Sequence, residues 1–255
     1  MRAIVIERPN EIALRELDIP APGRGEVRVR SVLTGVCRTD LDILTGALDP
    51  RWVRFPVIPG HEGNIGCMSC ARCRTGDTHL CERYDAVGFT RGGGWGEYVV
   101  VPERILHALP EHVSFEAAAL VEPGSCVVKA LDRARIEPAE SVGVVGVGAM
   151  GALAIRIARL RSPSRVVAYG LRDEELELAR ALGADEVVNV AREDAEEQTR
   201  RLLGGGLDVV VETAGAVPAV ELSTRIVREG GRVVLLGIAG QDRELAIPAD
   251  RIALR

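Results

Sequence analysis

Residues 141–151 read S-V-G-V-V-G-V-G-A-M-G. Ser141 to Val145 is a short apolar run of strand type. It passes into a glycine-rich turn and then into a helical stretch from Ala149 to Leu160. The turn carries G-x-G-x-x-G as Gly146, Gly148 and Gly151. Alone, that spacing is a weak signal. Between a strand and a helix it marks a dinucleotide site, because the glycines let the backbone approach a pyrophosphate and the helix N-terminus stabilises its charge. The plainer alternative is a tight strand–helix turn with no ligand.

The chain beyond this helix repeats the alternation. Strands are expected at 165–169, 186–190, 208–213 and 232–237, with helices at 173–182 and 218–228 and Gly183 as a C-cap. Strand and helix in alternation predict a parallel, doubly wound α/β sheet of the Rossmann type. The second strand ends at Gly170, where an NAD site usually carries Asp or Glu for the ribose 2′-hydroxyl. Arg172 stands two residues on. Absence of the carboxylate and a nearby guanidinium favour NADP(H) over NAD(H). The alternative is that Arg172 is a solvated surface charge and Asp173 or Glu174 reaches the ribose.

Residues 1 to about 125 have another character. Ala3–Ile6 and the alternating stretch 26–32 read as strands, P-A-P-G-R-G at 20–25 as a turn, and 41–46 as a short helix. Gly92-Gly93-Gly94 opens another strand, W-G-E-Y-V-V-V-P. Pro110–Leu120 reads as a helix with Ser114 as N-cap, and Cys126–Arg133 as a further helix. Between them, residues 59–81 hold C-x2-C-x2-C-x7-C: Cys67, Cys70, Cys73 and Cys81. Four thiolates on one short loop suit tetrahedral Zn²⁺, and a closed four-sulfur site is structural, since no ligand position is left for substrate. Unrelated thiols or two disulfides are the alternative. Any catalytic metal must lie elsewhere, and His61, with Glu62 beside it, is the first place to look.

Composition narrows the function. The chain has 255 residues and a net charge of −5, with 3% aromatic residues. No basic stripe is present, which argues against nucleic acid. No apolar run is long enough to span a membrane, and the N-terminus lacks the form of a signal peptide. A reduced, cytoplasmic protein is expected.

Together these pieces resemble the medium-chain zinc-dependent alcohol/polyol dehydrogenases of the sorbitol, threonine and glucose dehydrogenase type. The matching motifs are G-V-C-R-T-D (35–40), P-V-I-P-G-H-E (56–62), the four-cysteine loop, G-G-G-W-G-E-Y-V-V-V-P (92–102), A-A-L-V-E-P (118–123) and the Rossmann half. The resemblance implies a shortened GroES-like β-barrel catalytic domain at 1–125 and a Rossmann domain at 126–255. It implies that Cys37, His61 and Glu122 are ligands of a catalytic Zn²⁺, with Glu62 in or next to that shell and one position left open for an alcohol oxygen. Thr39 matches the hydroxyl that relays the substrate proton. Asp40 matches the carboxylate that orients the ligand histidine, and Arg38 an arginine near the coenzyme pyrophosphate. Asp42 lies where several members carry a relay histidine. Cys126, His79, His107 and His112 have no such context and read as structural or surface residues.

Two departures from the family pattern stand out. Only Gly63–Gly66 lie between His61-Glu62 and the cysteine loop, where family members carry several further strands. The chain also stops after the fifth Rossmann strand, where a sixth normally follows, often at a subunit interface, so a homo-oligomer would lack that strand. The implied activity is hydride transfer between a secondary alcohol, polyol or sugar and NADP(H). A non-enzymatic member that binds zinc and nucleotide, and a zinc-free quinone or enoyl reductase, remain as alternatives.

Overall fold

The computed structural model describes residues 1–240 and 243–253. The chain divides into two compact units, Met1–Glu122 and Pro123–Arg255.

The second unit is built on a five-stranded parallel sheet: β5 (Ser141–Val145), β6 (Arg165–Gly170), β7 (Glu186–Asn189), β8 (Leu207–Glu212) and β9 (Val227–Leu235), in the order β7-β6-β5-β8-β9. Every residue of β5 is buried, as a central parallel strand covered on both faces must be. That is why V-G-V-V and V-V-V appear as unbroken apolar runs. Helices α5 (Ala149–Ala158), α6 (Asp173–Leu182), α7 (Ala195–Leu203) and α8 (Val217–Ile226) alternate with the strands. The order reverses between β5 and β8. In such sheets ligands bind at the carboxyl ends of the strands, at that reversal.

Several boundaries differ from the sequence expectation. The helix expected at 149–160 closes at Ala158 and tightens into a 3₁₀ turn over Arg159–Arg161. The last strand starts at Val227, earlier than expected, because a bulge between Leu207 and Val209 lets β8 pair with both Val227 and Arg232. Helix α7 falls where the strand–helix alternation calls for a helix but where the sequence marks no bounds; its polar sequence, AEEQTRRLL, buries only Ala195 and Thr199, and Asp194 caps it by accepting from Glu197 N–H at 2.9 Å.

In the first unit, β1 (Arg2–Arg8) pairs with β2 (Glu11–Glu16), and β3 (Glu26–Arg30) with β4 (Tyr98–Pro102), both antiparallel. Strand β2 is likewise unannounced by the sequence pattern. Isolated bridges link β1 to other segments of the unit, through Ala3↔Gly96 just before β4 and Ile6↔Val57, and Asn64↔Ala86 pairs two loop segments. Among the described residues this unit holds two two-stranded sheets, a shortened version of the expected barrel. Leu14, Val32, Leu33 and Val36 stay exposed.

Two further helices follow the pattern of the sequence less closely. The one expected over 110–120 is confined to α3 (Phe115–Ala118), because residues 110–113 form a turn, with Val113 N–H donating to Pro110, and Ser114 starts the helix by accepting from Ala117 N–H at 3.2 Å. Helix α4 (Val121–Ala134) begins five residues before the expected start. Its Pro123 lies in the first turn, where a missing N–H costs nothing.

Candidate active site

Helix α1 (Arg38–Thr45) positions the first group of candidates. Cys37 is its N-cap, and Asp40, in the first turn, accepts the Cys37 N–H through Oδ2 at 2.8 Å. The other carboxylate oxygen faces Nδ1 of His61 at 3.1 Å and accepts the Gly60 N–H at 3.3 Å. A single buried carboxylate therefore caps the helix that carries Cys37 and orients the ring of His61. Burial would raise the Asp40 carboxyl, but the His61 ring and the two amides hold it below its ordinary value. Burial likewise opposes protonation of His61, yet its hydrogen bonds to Asp40 and Cys37 prevail and raise its pKa to about 10. The same His61 contact leads the effects that lower the Cys37 thiol, against burial and with help from Thr39. The Thr39 hydroxyl lies 3.6 Å from the Cys37 sulfur.

His61 sits on a segment held by glycines. Gly93 N–H donates to Ile58 O at 2.8 Å, Gly94 N–H to Gly60 O at 2.8 Å, and Trp95 N–H to Pro59 O at 3.1 Å. A Cβ on Gly93 would come within 2.3 Å of Pro59 O. Gly93 and Gly94 thus back the segment of the metal-type histidine, a role that reading them only as the opening of a strand misses. Phe89 completes the surroundings, with its ring centroid 4.9 Å from that of His61.

The two glutamates differ. Glu62 Oε1 accepts from the Thr34 hydroxyl and the Gly35 N–H, both at 2.9 Å, so that oxygen is held by the loop before α1. Glu122 is half-buried, and its carboxyl is raised by burial first and then by the charge of Glu62, with His61 opposing. Cys37, His61 and Asp40 are joined by hydrogen bonds, and Glu122 is near enough to feel His61 and Glu62 electrostatically. Arg38 is exposed and paired with Asp42 at 3.1 Å.

The four cysteines gather on their own. The Sγ atoms of Cys67, Cys70, Cys73 and Cys81 all lie within 4.8 Å of one another, the one such ligand cluster found among the described residues. None of the six cysteines is joined in a disulfide. Zn–S bonds of about 2.3 Å in a tetrahedron require sulfurs about 3.8 Å apart. Cys67 and Cys73 stand at 3.9 Å. The donor set and its dimensions fit zinc. The Ser69 hydroxyl and the amides of Ser69 and Cys70 lower Cys67 to about 5, whereas burial raises Cys73 to about 12. Metal binding would displace that proton.

At the glycine-rich turn, Gly151 meets the carbonyl of Gly146 so closely that a Cβ would come within 1.9 Å of it. Gly148 is the N-cap of α5. At the end of β6, Gly170 is buried, and Arg172 is exposed and paired with Glu175. Asp173 is engaged on both oxygens: Asn189 Nδ2 donates at 2.8 Å and Arg192 at 2.9 Å.

Comparison with known proteins agrees with this arrangement. Residues 149–255 match the zinc-binding dehydrogenase profile, and residues 63–111 the alcohol dehydrogenase GroES-like domain. The erythritol/L-threitol dehydrogenase of Mycolicibacterium smegmatis is 32% identical, over 95% of this chain and 77% of that protein. The chain belongs to the medium-chain zinc-dependent alcohol dehydrogenase family. An alcohol dehydrogenase of Geobacillus stearothermophilus is 34% identical, over 97% of this chain and 80% of its own length. A crystal structure from Sinorhizobium meliloti, bound to NADP and assigned as a zinc-binding dehydrogenase, superposes with a TM-score of 0.92 at 29% identity, covering 99% of this chain and 81% of the other. Family membership makes the chain an NAD(P)-linked oxidoreductase of the alcohol dehydrogenase class. The alignment to the erythritol/L-threitol dehydrogenase runs over 280 residues, more than this chain's 255, so that dehydrogenase carries residues this member lacks. Among the described residues no helix is long and apolar enough to cross a membrane.

Proposed function

We propose that this dehydrogenase moves a hydride between a secondary alcohol, polyol or sugar and NADP(H), with one catalytic and one structural zinc. The observation that carries the reading is the Cys37–His61–Asp40 constellation, with Glu122 in electrostatic reach. Cys37, His61 and Glu122 would hold the catalytic metal, with Glu62 beside them, and the four cysteines the structural one. Bound zinc would supply Lewis acidity toward an alcohol oxygen, and the nicotinamide would accept the hydride. The protein's own part is positional. Asp40 fixes the His61 ring, a task that metal-bound imidazole requires of a neighbour. The Thr39 hydroxyl, next to Cys37, passes the substrate proton outward. Asp42, at the outer end of that path, is engaged with Arg38.

The nucleotide is received by Gly146, Gly148 and Gly151. NADP(H) is favoured because Gly170 brings no carboxylate to the ribose and Arg172 stands beside it. The competing use of Asp173 is weakened by its engagement with Asn189 and Arg192. The polyol assignment draws on relatives named for erythritol/L-threitol and D-arabinitol. A reducing compartment such as the cytoplasm would keep the thiols free for metal.

The test is zinc per chain on purified protein, followed by formation of reduced nicotinamide from NADP⁺ and NAD⁺ over a panel of polyols, aldoses and secondary alcohols. Two zincs and turnover with NADP⁺ are expected. Two zincs with no turnover on any alcohol would instead identify a member that binds its ligands without reacting.

A further inference from the structure

The crevice at the strand-order reversal has two walls. One is the Gly146–Gly148 turn after β5. The other is the loop Thr213–Gly215 after β8. Thr213 joins them, donating its N–H to Val145 O at 2.9 Å and its hydroxyl to Gly146 O at 2.7 Å. Behind the second wall lies Glu212, the last residue of β8, with none of its surface exposed. Its Oε1 accepts the N–H groups of Ala214 and Gly215, both at 2.8 Å. Its backbone carbonyl accepts from Leu236 at 2.8 Å and Gly237 at 3.0 Å. Oε2 has no hydrogen-bond partner among the described residues and packs against Gly237, where a Cβ would approach within 2.8 Å.

Burying a carboxyl group is costly, and here burial raises its pKa above the ordinary range despite the surrounding amides. None of the chemistry proposed for the zinc sites and the glycine turn uses this group. The sheet does not require it either, since β8 and β9 pair through their backbones. What the side chain adds is a fixed shape for the loop: it holds the amides of Ala214 and Gly215 on one buried carboxylate oxygen.

A doubly wound sheet binds a dinucleotide as two mononucleotide halves. The half around β5, β6 and β7 carries the glycine turn and Arg172, which suit the adenine side. The half around β8 and β9 is left for the nicotinamide side. We propose that Glu212 is a positioning residue for the nicotinamide half of the coenzyme, acting through the Thr213–Gly215 loop. This rests on the proposed binding of NADP(H) at the glycine turn.

The experiment measures binding of two probes to the full-length, zinc-loaded protein: NADPH, and adenosine 2′,5′-bisphosphate, which carries the adenine half alone. In Glu212→Met, which removes both acceptors at similar volume, NADPH binding should weaken on the order of tenfold, the scale of one lost hydrogen-bond anchor. Binding of the bisphosphate should stay within about twofold of wild type, and Glu212→Gln, which keeps one acceptor, should restore NADPH binding. If Glu212→Met does not fold, Glu212→Asp, which withdraws the acceptor by one methylene, carries the same expectation. Equal loss of both probes, no loss of either, or failure of both variants to fold would make Glu212 a residue of sheet integrity and overturn the proposal. Wild-type protein that binds neither probe would overturn the coenzyme reading itself.

Discussion

Asp40 Oδ1 lies 3.1 Å from Nδ1 of His61, and the same carboxylate accepts the Cys37 N–H at 2.8 Å. Two residues that are 24 positions apart in the chain are thereby set by one buried side chain. Partners of this kind typically govern metal affinity by about 10–100-fold. Asp40→Ala is expected to weaken metal binding at the proposed His61 site by about that factor in chelator competition, leaving the four-cysteine site unaffected. Asp40→Asn, which can still accept the helix-capping N–H, should fall between. Unchanged affinity in Asp40→Ala would remove Asp40 from the site.

The four-cysteine cluster is separate from that site, so the two metals should be separable by mutation. Cys73→Ser is expected to lower bound zinc from two to one per chain and to destabilise the first unit, because structural zinc contributes folding energy directly. Metal analysis reads the count, and thermal unfolding with and without chelator reads the stability. Loss of both zincs would mean that the two sites fold as one.

Gly93 offers a mechanical test of the same unit. A methyl group there would meet Pro59 O at 2.3 Å, Gly60 O at 2.5 Å and the Gly88 Cα at 2.7 Å, all backbone atoms that cannot step aside. Gly93→Ala should cost about 1–3 kcal/mol, the usual range for overpacking. Because the clash falls on the segment that carries His61, catalytic activity should drop more than stability alone accounts for. Urea unfolding and turnover at equal folded fraction separate the two effects.

The parts of this molecule that could be read from sequence are those whose physical cause is local. Buried parallel strands must be apolar on both faces, so V-G-V-V and V-V-V announce themselves. Thiols at metal spacing do the same, and so does a glycine turn between a strand and a helix. The hairpin strand E-I-A-L-R-E escapes such a reading because it buries little and is held by its partner β1 across the Pro9-Asn10 turn. The partners of Asp173 lie 16 and 19 residues away, and nothing near it in the chain announces them. Glu212 falls inside the strand expected at 208–213, and a glutamate near a strand's end is ordinarily an exposed one. Only the loop folding back over it turns an apparent surface charge into a buried one.

On the proposed NADP(H) reading, Arg172 is the residue that would set coenzyme choice. It is exposed and shared with Glu175, so its hold on a 2′-phosphate must compete with that pair. Hydrogen bonds to charged groups contribute about 1.5–3 kcal/mol. Arg172→Ala is therefore expected to raise KM for NADP⁺ by about 10–100-fold and to leave KM for NAD⁺ nearly unchanged. A parallel rise for both coenzymes would assign Arg172 to the stability of α6 instead.

Asp208 supplies a pH test at the opposite end of the sheet from the crevice. Its Oδ2 accepts both the N–H and the hydroxyl of Ser141 at 2.7 Å, and Oδ1 accepts from Arg228 at 2.6 Å, joining the starts of β5 and β8. Burial alone would raise this carboxyl, but the Ser141 groups and the Arg228 guanidinium hold it below its ordinary value. A carboxyl whose folded pKa lies below its unfolded one stabilises the fold above the unfolded value of about 4 and loses that contribution as pH falls through the folded value. Asp208→Asn should therefore unfold more easily than wild type near neutral pH, by about 1–2 kcal/mol in urea. The gap should begin to narrow as pH falls below about 4 and close once pH falls through the lower folded value, where wild type carries a protonated, uncharged acid at the same place. A gap that stayed constant with pH would show that the loss is one of shape and hydrogen-bond geometry, and that the charge of Asp208 contributes nothing.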